Sequence, residues 1–292
     1  MSISASMVKE LRERTGAGMM DCKKALGETN GDLDEAIALL RKKGAASAEK
    51  KAGRIAAEGV VQLLISEDAS RGTLLEVNCE TDFVAKDDSF NSFVAALTQL
   101  IVDQNPADVE SLSALIMDSG ASVEAERQEL IAKIGENISI RRFETLVSGS
   151  GQISGYMHGT RIGVLVSASG AAELGRDLAM HIAASRPVCI GEADMPSDVL
   201  TREREIYTAQ AAESGKSPEI VEKMVDGRVK KFLKENTLLG QPFVKNPDIS
   251  VTELLAQGNA SMDGMLRFEV GEGLEKKVDD FVAEVMAQAK AE

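Results

Sequence analysis

The chain has 292 residues, 43% hydrophobic and 27% charged, so it folds around buried cores and is not a disordered polymer. Acidic residues outnumber basic ones by 47 to 33, and the net charge of −14 opposes general binding to nucleic acid or to anionic membranes. Aromatic residues make up only 3% and Trp is absent, which leaves few platforms for stacking bases.

Residues 1–54 read as a small helical module. Met7, Val8 and Leu11 recur at helical spacing until Gly16 and Gly18 break the segment; Cys22, Ala25 and Leu26 resume the period up to the turn Thr29-Asn30-Gly31. Asp32 with Glu35 three residues on has the pattern of a capping box, followed by Leu33, Ile37 and Leu40. Residues 41–57 are Ala-rich and basic (Arg41, Lys42, Lys43, Lys50, Lys51, Arg54) and read as a helical linker. The runs 59–65 and 73–79 are β-rich and joined by a polar turn, a hairpin signal. Helices are expected at 90–102 and 123–134, then a strand at 137–147. A second hairpin, 152–158 with 161–167, leads to a helix at 171–185 stopped by Pro187. Hairpin followed by helix thus occurs twice, which suggests two related α+β halves.

Two polar helices, about 198–213 and 218–235, break at Ser214-Gly215-Lys216-Ser217-Pro218 and interrupt the second half, since 261–270 again reads as a strand. Such an inserted helical hairpin suits a dimerisation or docking arm; the alternative is that it packs on its own core. The chain closes with an amphipathic helix over 274–291 that carries Val278, Phe281, Val282, Val285 and Met286 on one side.

Little of this sequence offers catalytic chemistry. Cys22, Cys79 and Cys189 lie far apart with no Cys-x-x-Cys, against a disulfide framework or a zinc knuckle. Neither histidine belongs to a metal motif: His158 falls at a hairpin tip, and His181 sits in an apolar helical stretch that favours a packing role. Phosphate-loop, dinucleotide and nucleophile-elbow motifs are missing, so no catalytic residue, metal ligand or cofactor is expected. The start meets charge at Lys9 without a signal-peptide core, and no apolar run nears the ~18 residues of a membrane span, which points to the cytoplasm. Two rival readings remain: RNA binding through the basic stretch 41–54, whose alternative is a solvated helix, and hydrolysis by paired carboxylates.

Two sites of apolar residues at turns stand out instead. Met19 and Met20 begin a helix beside a glycine hinge, soft side chains suited to adaptable contacts, with Arg12 and Lys23 placed to frame them; the alternative is that both cap the module's core, and the expectation is one in and one out. The second is Asp82-Phe83, between the end of a strand and a helix that Asp87 or Asp88 would cap. Phe83 either folds back into the core or projects as an anchor for a partner's pocket.

The segments from Lys9 to Leu26, from Glu76 to Lys86 (with Thr81-Asp82-Phe83-Val84 at its centre) and from Ile131 to Ile138 together resemble bacterial elongation factor Ts. So do the segments from His158 to Val164, Gly240 to Val244 and Arg267 to Gly273, and the resemblance runs through the chain in order. It implies an α+β fold with a ubiquitin-associated-like three-helix module (1–54) and a two-part core with antiparallel sheets (55–150, then 151–195 with 236–270). An inserted dimerisation hairpin (196–235) and a C-terminal helical module (271–292) complete it. The implied function is guanine-nucleotide exchange on elongation factor Tu, with no cofactor and no chemistry of its own. By the same resemblance Thr81, Asp82, Phe83 and Val84 enter the partner's nucleotide domain and dislodge Mg²⁺, Arg12, Met19, Met20 and Lys23 contact that domain, and His158 reaches another.

Overall fold

The computed structural model describes residues 3–149, 151–213 and 215–274; the helix expected over 274–291 lies outside the described residues, apart from Leu274. The first elements are α1 (Ala5–Thr15), α2 (Met19–Glu28), α3 (Leu33–Lys51), β1 (Glu58–Ile65), β2 (Arg71–Cys79), α4 (Asp88–Gln104), α5 (Val109–Ala114), α6 (Val123–Ile134) and β3 (Ile138–Val147). Then come β4 (Gln152–His158), β5 (Ile162–Ala168), α7 (Ala172–Ser185), α8 (Ser197–Ala212), α9 (Pro218–Asn236), β6 (Pro242–Phe243), β7 (Asn246–Ser250), α10 (Val251–Gln257) and β8 (Met262–Glu269). The fold is α+β, as the residue patterns indicate.

Both three-stranded sheets follow one plan. Their orders are β1-β2-β3 and β4-β5-β8, so each time the hairpin's second strand lies in the middle and a later strand, preceded by a helix, joins it. That is the plan expected of an internal repeat. The elements missing from the sequence reading are α5, β6, β7 and α10, of 6, 2, 5 and 7 residues, too short to show a period.

The chain divides into two compact units, residues 3–60, 76–142 and 270–274 forming one, residues 61–75 and 143–269 the other. In the first unit Val8, Leu11, Cys22, Ala25, Leu26 and Ala36 make the core of the three-helix module. Asp32 accepts the Glu35 N–H at 2.9 Å, whereas its own N–H goes to the Thr29 carbonyl, so the predicted capping box forms only in its forward half. The basic linker corrects to a continuation of α3 up to Lys51. The reason is tertiary: a Cβ placed on Gly44 would stand 3.5 Å from that of Ala132, so α3 lies close against α6. An ion pair at 3.1 Å between Arg41 and Glu129 adds to that contact.

Deeper in the first unit, the fully buried Glu76 carboxylate collects Arg141 at 2.9 Å, Arg142 at 2.7 Å, the Gly271 N–H at 2.8 Å and the Asn78 side-chain amide at 3.2 Å. Gly271 sits at φ 73° with the Ala57 carbonyl where a Cβ would be, so this close approach requires glycine.

In the second unit β5 runs antiparallel to both neighbours, pairing Leu165 with Gly155 of β4 and Leu266 of β8. Val164 and Val166 pack with Leu178, Ala179 and Ile182 of α7 and with Leu238, Val251 and Leu255. The arm α8–α9 has its own small core of Ala211, Val225 and Val229, with Leu200, Tyr207, Val221 and Leu233 against it.

His181 takes the packing role that its apolar surroundings indicate. It is fully buried; its Nδ1 accepts the Val244 N–H at 3.1 Å, and its Nε2–H donates to the Gln241 side-chain oxygen at 3.0 Å. A ring that accepts at one nitrogen is neutral, and burial holds its pKa below the ordinary 6.5 against the Gln241 hydrogen bond. As pH falls, the unfolded chain therefore takes up this proton first. Stability from His181 is complete above about pH 6.5 and is lost as pH falls toward and through the lower folded value. Denaturant unfolding should stay level at about pH 7–8, then weaken below about pH 6.5 with a slope approaching ~1.4 kcal/mol per pH unit. His181→Gln should lack that component; an unchanged slope would show that other groups produce it.

Candidate partner-binding site

The corner between α1 and α2 is built by glycine. Gly16 caps α1 at φ 65° and returns its N–H to the Arg12 carbonyl at 2.8 Å, and Gly18 starts α2. Met19 and Met20 follow at once and are 60% and 61% exposed. This corrects the expectation of one in and one out. Cys22, Ala25 and Leu26 fill the buried stripe of α2, and Ala17 of the preceding turn packs on the same core, so both methionines fall outside that stripe. Arg12 and Lys23 are exposed on α1 and α2.

The loop after β2 holds the remaining candidates of this unit. Thr81 is half-buried, Asp82 exposed, Phe83 80% exposed and Val84 turned inward at 8%. Phe83 thus projects while Val84 anchors the short 3-10 turn behind it. Asp82 pairs with Lys86 at 2.7 Å, a solvated ion pair that a partner could exchange at little cost. Asp87, not Asp88, caps α4, accepting the N–H groups of Ser89 and Phe90, and these bonds hold its carboxyl below the usual range.

Two carboxylates brace the loop. Glu136 accepts the Thr81 N–H at 3.0 Å and the Thr81 hydroxyl at 2.7 Å, while Glu80 accepts the Asn137 N–H at 2.6 Å and pairs with Arg54 at 3.4 Å. Beneath them the Cys79 thiol donates to the Thr81 carbonyl at 3.1 Å. Burial, with Glu136 and Glu58 nearby, pushes that thiol up to about 12, so it stays a donor and is not a nucleophile. Sequence reading missed both glutamates: their partners lie 55 and 57 residues away, and the only local hint is Gly135, which ends α6 at φ 92° just before Glu136.

In the other unit His158 ends β4 opposite Ile162, exposed beside a turn through Gly159 at φ 60°, with the Tyr156 hydroxyl 3.3 Å from its Nδ1. Of the basic side chains offered for RNA, Arg41 and Arg54 already meet Glu129 and Glu80, Lys43 meets Glu28 at 2.7 Å, and Lys51 reaches the Ile131 carbonyl at 3.4 Å. Among the described residues no group of three His, Cys, Asp or Glu stands together to hold a metal, and no helix is long and apolar enough to cross a membrane.

The fold and these sites define an α+β protein that presents adaptable and aromatic groups on braced turns, features suited to protein contact. Residues 80–272 match the family described as Elongation factor TS. The chain is similar to the elongation factors Ts of Thioalkalivibrio sulfidiphilus (60% identical, covering 99% of both chains) and Methylococcus capsulatus (56%, covering 100% of both). That of Alkalilimnicola ehrlichii is 54% identical, again over 99% of both chains. The chain belongs to the elongation factor Ts family and is a factor of translation elongation.

Proposed function

We propose that this chain stimulates GDP release from elongation factor Tu by inserting the loop Thr81–Val84 beside the partner's nucleotide and displacing its Mg²⁺. One observation carries the reading: a phenylalanine 80% exposed at the tip of a braced loop, in a chain of this family. GDP is held by phosphate contacts and by a Mg²⁺ ion that neutralises phosphate oxygens. A rigid aromatic entering next to that ion, with Asp82 alongside, moves its ligands, leaves phosphate charge uncompensated and speeds departure of the nucleotide. The factor needs only binding energy for this, with no bond made or broken on its own side chains. Linkage makes the effect reciprocal, so incoming nucleotide weakens the factor's hold and releases it.

In this reading the module 1–54 docks through Arg12, Met19, Met20 and Lys23, and His158 touches a second partner domain. Crosslinks from positions 19, 20 and 158 would map these contacts, and their absence from all three would remove the assignment. Release of labelled GDP from elongation factor Tu, followed with and without this chain, tests the function itself. Faster release is expected, and an unchanged rate would overturn it.

The arm α8–α9 serves self-association in this proposal. Its small core leaves Ile206 and Ile220 exposed at 42% and 48%. Sedimentation of the full chain should give a dimer, and replacing residues 196–235 by a short Gly-Ser loop should give a monomer. A variant that stays dimeric would place the contact elsewhere.

A further inference from the structure

We infer that Glu136 is a positioning residue for exchange: with Glu80 it forms a two-way clasp that holds the Thr81–Val84 loop in its projecting conformation before the partner arrives. The geometry is reciprocal. The chain leaving β2 sends the Glu80 carboxylate to the N–H of Asn137, and the chain leaving α6 sends the Glu136 carboxylate back to the N–H and hydroxyl of Thr81. Asn137 completes the joint, its amide donating to the Arg54 carbonyl at 2.9 Å. Gly135 at φ 92° makes the turn that aims Glu136 at the loop.

Of the loop's residues, Thr81 and Val84 are held and Asp82 and Phe83 are left outside. Thr81 accepts from the Val84 N–H at 3.5 Å, so the clasp reaches the tip through Thr81 itself. A side chain as exposed as Phe83 gains almost nothing from the fold in its projecting position, and water would favour its collapse onto the nearest apolar surface. The clasp offsets that tendency. Charge-assisted bonds of a carboxylate to an N–H and a hydroxyl are the strong kind, and they fix the backbone from which the tip projects. Preorganisation of this sort raises apparent affinity by the fraction of molecules already competent to bind.

The inference rests on the exchange reading above, and the experiment separates the two. Stimulated GDP release is titrated with wild type, Glu136→Ala, Glu136→Gln and Phe83→Ala, and amide hydrogen exchange of Thr81 is followed in the free full-length chains. If the clasp keeps the loop competent and its loss leaves about a tenth of molecules so, Glu136→Ala should need ~10-fold more factor for half-saturation yet reach the same plateau. Its Thr81 amide should exchange at least ~10-fold faster. Glu136→Gln, which keeps one acceptor, should fall between, and Phe83→Ala should lower the plateau. A wild-type half-saturation for Glu136→Ala, with or without a faster amide, overturns the inference, as does a lowered plateau shared by both Glu136 variants. If Phe83→Ala itself titrates as wild type, the exchange reading fails instead.

Discussion

Phe83→Ala should abolish most stimulation of GDP release while the fold's stability stays within about 0.5 kcal/mol of wild type. Truncating an aromatic interface anchor typically costs ~2 kcal/mol or more, roughly thirtyfold when fully expressed in the step it serves. Phe83 is 80% exposed, so its removal opens no cavity, in contrast to the ~3–5 kcal/mol expected of a buried phenylalanine. Denaturant unfolding and GDP release on one preparation read both quantities. A stable variant that stimulates release normally would remove Phe83 from the mechanism, and a variant destabilised by several kcal/mol would show that the ring packs in solution. Asp82→Ala serves as the companion: an exposed carboxylate paired with Lys86 in solvent should cost little stability, so a defect in exchange would reflect contact with the partner.

Glu76→Ala should have the largest effect on stability. Its carboxylate is fully buried and meets Arg141, Arg142, the Gly271 N–H and the Asn78 amide at once. Taking away the buried carboxylate of an ion-pair network removes the counter-charge that its arginines share, at a cost of about 3–5 kcal/mol. Arg141 also donates to the Glu272 carbonyl and Arg142 pairs with the Glu272 carboxylate at 3.5 Å, so the same change frees the chain around residues 271–272. Denaturant unfolding of the full chain measures the loss; a cost below about 1 kcal/mol would mean that water or Glu272 substitutes readily for Glu76. Glu76→Gln should fall between, because it keeps the shape and some acceptors but not the charge.

The regular elements were largely legible in the sequence. The helix expected at 123–134 has those limits in the structure, and the second helix of the arm, expected at 218–235, ends one residue later. Apolar period, caps and turn glycines are near-neighbour properties, and these segments are long enough for the pattern to rise above chance. Local signals misled where a neighbour in space had the final say. Residues 41–51 read as a helical linker and are helical, but they continue α3 and lie against α6 beside Ala132 in place of spanning between modules. Met19 and Met20 fit a buried or an exposed position equally well by type, and the core formed by Cys22, Ala25 and Leu26 with α1 and α3 left both outside.

The sequence by itself determined the α+β class, the order of hairpins and helices, and membership in the elongation factor Ts family, since each is carried by residues adjacent in the chain. Tertiary structure decided which candidates face outward and what holds them there. Glu136 reaches Thr81 across 55 residues, His181 reaches Gln241 across 60, and Glu76 gathers Arg141, Arg142 and Gly271 from far along the chain. A glutamate that braces a loop and one that sits in water have the same neighbours in sequence. The difference arises only when a distant segment brings an N–H to within about 3 Å of the carboxylate and excludes the solvent that would otherwise satisfy it.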